Sequence, residues 1–439
     1  MRSGTKSDLV HCLENLIPPQ ENNLANPTVT VIIIDAAAIV NMLKPGAAKT
    51  FQDYATLVFL PYITAQLRNA NRVDIVWDVY FHDSLKAETR SKRGKGVRRR
   101  VEPSSAIPGK WNEFLRIDEN KKELFVFLAN AAMSIDTDKQ VVTTVDNLVL
   151  CNHQQDLSGL SPCTHEEADT RMMLHLNDAV KKSHSKVTVR TVDTDVVVLA
   201  VTSASQLNIA ELWIAFGTGK TFRFIAAHTI AEKLGPDRSS ALPMFHAFTG
   251  CDTVSSFAGK GKKTAWHTWN TFDEVTAAFS ALASLPATVE QWLDPLERFV
   301  VLLYDRTSSQ ASIDQARKQL FCQKARAIDC LPPTRAALIQ HTKRATYQAG
   351  HCWSQMHIAI PVLPSPQNWG WVVSHRNEPV RTFSIVKCIK AITSQSSFII
   401  DRGIMVYKTL HNSEFTVDRS FKVRLESSWN GILLANRKD

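Results

Sequence analysis

Residues 187–201 constrain the chain more than any other stretch. Val187-Thr-Val-Arg-Thr-Val192 leads into Asp193-Thr194-Asp195, and the apolar run Val196–Val201 follows. The β-branched approach reads as a buried strand. Side chains at i and i+2 of a strand point the same way, so the spacing predicts two carboxylates side by side where it ends. Like charges held together raise each other's pKa, and a divalent cation would remove that cost.

Other acids follow the same grammar. Val29–Ile34, apolar except for Thr30, runs into Asp35 and then the helix-forming Ala36-Ala37-Ala38. Arg72–Trp77 is a second strand, and Asp78 follows it. Carboxyl ends of strands are where open α/β sheets place ligand groups, although Asp35 serves equally well as a helix cap. Thr164-His-Glu-Glu-Ala-Asp169 opens a helix running to about Lys182. Thr164 and Glu167 match a capping box, while helical spacing pairs Glu166 with Asp169. Spacing therefore leaves both glutamates open as partners of Asp169. Gly250-Cys251-Asp252 adds an acid at a turn, and Gly259-Lys-Gly261 precedes a helix start whose backbone N–H groups suit a phosphate.

Charge points to a polyanionic partner. The chain has 439 residues, a formal net charge of +9 and a pI near 9.1. Ser84–Arg100 alone carries eight basic residues against one acid. Lys86, Arg90 and Arg93 fall on one face at helical spacing, and the strand end at Asp78 sets this segment above the acids as a grip for phosphates. A solvated charge run or a nuclear localisation signal would look the same. No signal peptide and no apolar run long enough for a bilayer is visible. Eight cysteines without a Cys-x-x-Cys pair fit reduced thiols in an intracellular protein.

The remaining chain is read more coarsely. Residues 1–26 are a polar lead-in. Phe51–Arg68 is an amphipathic helix, Trp111–Leu128 is helical and Gln140–Leu150 extended. Gly-Lys-Thr at 219–221 is not a phosphate loop, since the required glycine five residues earlier is Ile214; a hairpin fits instead. Residues 276–372 are mainly a helical extension, and 373–439 a tail without a motif. Cys322, Cys330, His351, Cys352 and His357 match no standard zinc spacing.

In order, these motifs are strand-Asp35, strand-Asp78, basic segment, Glu167-Ala-Asp169, Asp193-x-Asp195, Gly-Cys-Asp252 and Gly259-x-Gly261-Lys-Lys. The order resembles the flap-endonuclease/XPG superfamily of structure-specific nucleases, and within it the Asteroid-like members, over about residues 27–275. The resemblance implies a PIN-like α/β fold, a mainly parallel sheet flanked by helices with a helix-two-turn-helix element. It implies Asp35, Asp78, Glu167, Asp169, Asp193, Asp195 and Asp252 as ligands of two Mg²⁺ ions, with Mn²⁺ as a substitute. Glu167, Asp169 and Asp35 would serve mainly one ion, Asp193, Asp195 and Asp252 the other, and Asp78 would bind through water or bridge. Lys86 and Arg93 correspond to the family's basic residues at the scissile phosphate. Arg90, Arg98, Arg99, Arg100, Gly259, Gly261, Lys262 and Lys263 are the expected contacts to nucleic acid, DNA before RNA. The chain departs from the family in its two dozen extra residues before the first strand and in lacking aromatic clamps in the basic segment. The other functions weighed are a catalytically silent binding module of the same fold and a phosphatase using Asp193 and Asp195. The phosphatase leaves Glu167, Asp169 and Asp252 without a role.

Overall fold

The computed structural model describes residues 6–18, 26–80, 85, 96–284, 286, 288–322 and 331–373, and beyond these only short β segments between 379 and 425. Seven strands form one sheet in the order β4-β3-β2-β1-β5-β6-β7. They are β1 (Val31–Asp35), β2 (Arg72–Val76), β3 (Gln140–Val145), β4 (Leu148–Cys151), β5 (Lys186–Thr191), β6 (Glu211–Phe216) and β7 (Arg223–Ala226). The five inner strands are parallel, and β4 and β7 return antiparallel at the edges through hairpins. Every residue of β1 and β2 is buried, as expected of parallel strands covered on both faces.

Helices cover both faces. On one lie α2 (Ala36–Met42), α3 (Leu60–Leu67) and α4 (Asp118–Ala132); on the other lie α5 (Ala168–Lys181), α6 (Thr194–Gln206) and α7 (Ala227–Phe248). The expected α/β class and mainly parallel sheet are thus present. The Phe51–Arg68 helix is formed as two segments joined by a π-type turn at Ala55–Phe59. The Gly217–Gly219 turn joins β6 to β7 as a hairpin, as the rejection of a phosphate loop requires. Further helices α8 (Lys262–Thr271), α9 (Val275–Leu282), α10 (Leu293–Tyr304), α11 (Ile313–Cys322) and α12 (Arg335–Thr346) follow. α9 and α12 pack on α7, so this extension shares the main hydrophobic core.

Three local expectations need correction. β5 ends at Thr191 and the helix α6 starts at Thr194, so Asp193 and Asp195 are not i and i+2 neighbours at a strand end. Val196–Val201 lies inside α6 and is fully buried. α5 begins at Ala168 rather than Thr164, with no side-chain cap from Glu167. The polar lead-in contains the helix α1 (Ser7–Glu14), with Leu9, Val10 and Leu13 fully buried.

A buried charge network joins the sheet to α5. Arg72 on β2 donates through Nε to Asp74 Oδ1 at 2.7 Å and through Nη2 to Oδ2 at 2.6 Å. Its Nη1 lies 2.7 Å from Asp178 on α5, and His175 Nδ1 lies 2.7 Å from Asp74 Oδ2. Burial opposes ionisation of Asp74, but Arg72 and His175 outweigh it and hold the carboxyl far below its ordinary range.

Candidate functional site

The inner strands reverse their order between β1 and β5, the point where open α/β sheets form a crevice beyond their carboxyl ends. A cavity of about 390 Å3 lies there. Asp35, Asp78, Glu167, Asp169, Asp193 and Asp252 line it, together with Glu166. Six of the seven acids expected at the site thus share one cavity. Asp195 does not line it.

The helix starts explain how the acids arrive. Asp35 caps α2, accepting from the Ala38 N–H at 2.9 Å, while Thr191 Oγ1 donates to its other oxygen at 3.2 Å. Asp78 caps α5 from another strand, accepting from the Ala168 N–H at 2.9 Å, and Tyr80 donates to its second oxygen at 3.1 Å. The Val79 N–H donates to the Glu166 carbonyl at 2.9 Å and completes the join between the end of β2 and the start of α5. Asp193 caps α6 through the Asp195 N–H at 2.9 Å. Three helix N-termini therefore converge on the cavity, where their dipoles favour negative charge. Three of the carboxylates lining the cavity are therefore helix caps as well.

Because α6 has already begun, Asp193 and Asp195 do not project together as strand neighbours would. Asp195 turns inward, 2% exposed, and accepts from His246 Nε2 at 2.8 Å. Burial, then Lys262, pushes His246 down to about 4, so a neutral ring makes this bond. Gly250 sets the turn that presents Asp252. Its φ is +110°, and a Cβ there would meet Ser256 Cβ at 2.8 Å.

Burial, then the neighbouring Asp78 charge, raises Asp35 to about 7, with Asp193 adding to it. Burial, then Asp195, raises Asp193 to about 6. These carboxyls repel one another where burial leaves them poorly screened. The donor set is oxygen-only, which suits a hard ion such as Mg²⁺ and not a thiolate-seeking metal. Among the described residues no three His, Cys, Asp or Glu converge closely enough to hold an ion as a tight cage, and the cysteines and histidines form no zinc site. Mg²⁺ takes one or two carboxylates directly and keeps several waters, so acids spread round a roomy cavity match its habit.

The cations are not those expected from sequence. Lys86, Arg90 and Arg93 lie outside the described residues. Arg98 pairs with Glu123, and Arg100 lies 3.4 Å from Glu102, while Arg99 is exposed. Lys262 is buried, donating to the His246 carbonyl and to Thr249 Oγ1 at 2.8 Å, so its ammonium secures the end of α7 instead of facing a ligand. Gly259 adopts φ +68° and Gly261 caps α8, with Lys263 in its first turn and exposed. Arg116 and Lys121 stand on the cavity wall. Lys121 Nζ lies 2.7 Å from Asp118 and 4.1 Å from the Tyr80 ring centroid. The i,i+3 pair Asp118/Lys121 was visible in the sequence, but nothing local tied it to the acids. Lys6, from the lead-in, pairs with Asp252 and lies 3.4 Å from Asp195 Oδ1.

No family model and no curated protein sequence matches the chain. Among solved structures, a crystal structure of the T5 D15 protein co-crystallized with metal ions superposes with a TM-score of 0.34 and 13% identity, over 66% of this chain and 98% of that one. At that distance nothing of the T5 D15 protein's chemistry transfers to this chain. No helix among the described residues is long and apolar enough to cross a membrane.

Proposed function

We propose that the protein is a divalent-metal-dependent nuclease that hydrolyses phosphodiester bonds in structured nucleic acid, DNA before RNA, at an intracellular and nuclear location. The observation that carries this reading is the gathering of Asp35, Asp78, Glu167, Asp169, Asp193 and Asp252 round one cavity at the sheet's switch point. These residues stand more than two hundred positions apart at the extremes. A cap function alone would account for three of them and leaves Glu167, Asp169 and Asp252 at the cavity unexplained.

Asp35, Glu167 and Asp169 would serve mainly one Mg²⁺ and Asp193, Asp195 and Asp252 mainly a second, largely through bound waters, with Asp78 binding through water or bridging. Two such ions supply Lewis-acid activation of water and offset charge on the attacking and leaving oxygens. The chain's own part is orientation. Thr191 and the helix N–H groups fix the carboxylates, and His246 holds Asp195 in place. Arg116 would offer positive charge to a phosphate entering the cavity, with buried Lys121 held by Asp118 behind it and Lys86 and Arg93 as further cations. Arg99, Lys263 and the N–H groups near Gly259 and Gly261 extend the grip along the backbone.

Labelled flap, hairpin and single-stranded substrates, incubated with Mg²⁺, Mn²⁺ or EDTA, test the reading. Metal-dependent cutting should fall at least about a hundredfold in Asp193→Ala, an estimate from the size of lost charge stabilisation in other active sites. Cutting that persists unchanged in that variant excludes this cavity as its source. The silent binding module is the second reading, favoured by the Lys6 ammonium already set among the acids. Binding without cutting under every metal condition would select it.

A further inference from the structure

The acids of the second ion position already have a cation. Lys6 Nζ pairs with Asp252, lies 3.4 Å from Asp195 Oδ1, and is within electrostatic reach of Asp193. These are the three carboxylates assigned to one ion. We infer that Lys6 is a resident cation that fills that position in the resting protein, so that only the Asp35/Asp78/Glu167/Asp169 side is open to a divalent ion. The inference rests on the metal-site reading above and adds which half is closed, and by what.

The attachment of Lys6 favours a built contact over a chance surface pair. It immediately precedes α1, whose Leu9, Val10 and Leu13 are fully buried against the main core. α1 packs on α6, which carries Asp195, and on α8. At its far end Glu14 is gripped by Arg223 of β7, with Nη2–Oε2 at 2.7 Å. The helix is thus anchored along its buried face and at its far end, and the residue at its N-terminus is the lysine that meets the acids. The single positive charge of Lys6 is shared by buried Asp195 and by Asp252, which lines the cavity. A second divalent ion would have to displace the ammonium, because two cations cannot share those oxygens at contact distance without strong repulsion.

Ion stoichiometry of the full chain tests this without reference to cleavage. Native mass spectrometry and calorimetric titration with Mn²⁺ would be run on wild type, Lys6→Met and Lys6→Arg, with circular dichroism to check folding. We expect one ion per chain in wild type and Lys6→Arg, and two in Lys6→Met. Leu9→Ala/Leu13→Ala, which keeps the lysine but loosens the α1 packing that holds it at the acids, should gain a weaker second ion and serves if Lys6→Met does not fold. Two ions in wild type, or one in all variants, would overturn the Lys6 assignment and leave the metal site standing. No ion in any chain would remove the metal site itself, and this inference with it.

Discussion

Asp35 and Asp193 carry the pH signature of the site. Both are raised above the carboxylate range, to about 7 and about 6, whereas in the unfolded chain they ionise near pH 4. Across the window from about pH 4 to about pH 7 the folded protein therefore keeps protons that the unfolded chain has released. Stability falls as pH rises through that window and levels off above it. Asp35→Asn removes the charge yet keeps an oxygen for the Ala38 N–H, since Asn caps as well as Asp. In EDTA at pH 8 that variant should melt several degrees higher than wild type, the difference shrinking toward pH 5. The comparison isolates Asp35 from buried His175 and His246, whose lowered pKa values act with the opposite sign. A lower melting temperature for Asp35→Asn at pH 8 would show that the carboxylate is already neutralised.

At the scale of elements, the site depends on α5 being held against β2. Glu167 and Asp169 sit at the start of α5, and Arg72, Asp74, His175 and Asp178 bind that helix to the sheet beneath. Removing one partner of a buried pair leaves the others uncompensated, at about 3–5 kcal/mol. Arg72→Met should lose roughly that much in urea unfolding. Asp74→Leu in the same chain should recover part of it, because Asp178 keeps Lys182 at 3.1 Å. If Arg72→Met costs under about 1 kcal/mol, the network is not what fixes α5.

For the whole molecule, the proposed metal site predicts a link between metal and stability. An ion that binds only the folded chain stabilises it by about 2.7 kcal/mol at a hundred times its dissociation constant. Saturating Mg²⁺ or Mn²⁺ should therefore raise the melting temperature at pH 8 by several degrees over EDTA and flatten its pH dependence. The effect should vanish in a chain carrying Asp35→Ala and Asp193→Ala together. Stabilisation that survives both substitutions would place the ion elsewhere.

The sequence by itself determined the strands, the acids at their ends and the order of motifs, because β-branched runs and helix-starting carboxylates are local signals. Asp35, Asp78, Asp169, Asp193 and Asp252 stand at such signals, whereas the choice of Glu167 over Glu166 came only from the family resemblance, and both glutamates line the cavity. The inward turn of Asp195, the burial of Lys262, the arrival of Arg116 and Lys121 at the cavity and above all the pairing of Lys6 with Asp252 were decided only by tertiary structure. Lys6 lies 189 positions from Asp195 and 246 from Asp252. No local pattern encodes such a meeting, since it depends on where the buried face of α1 finds its place on α6 and α8.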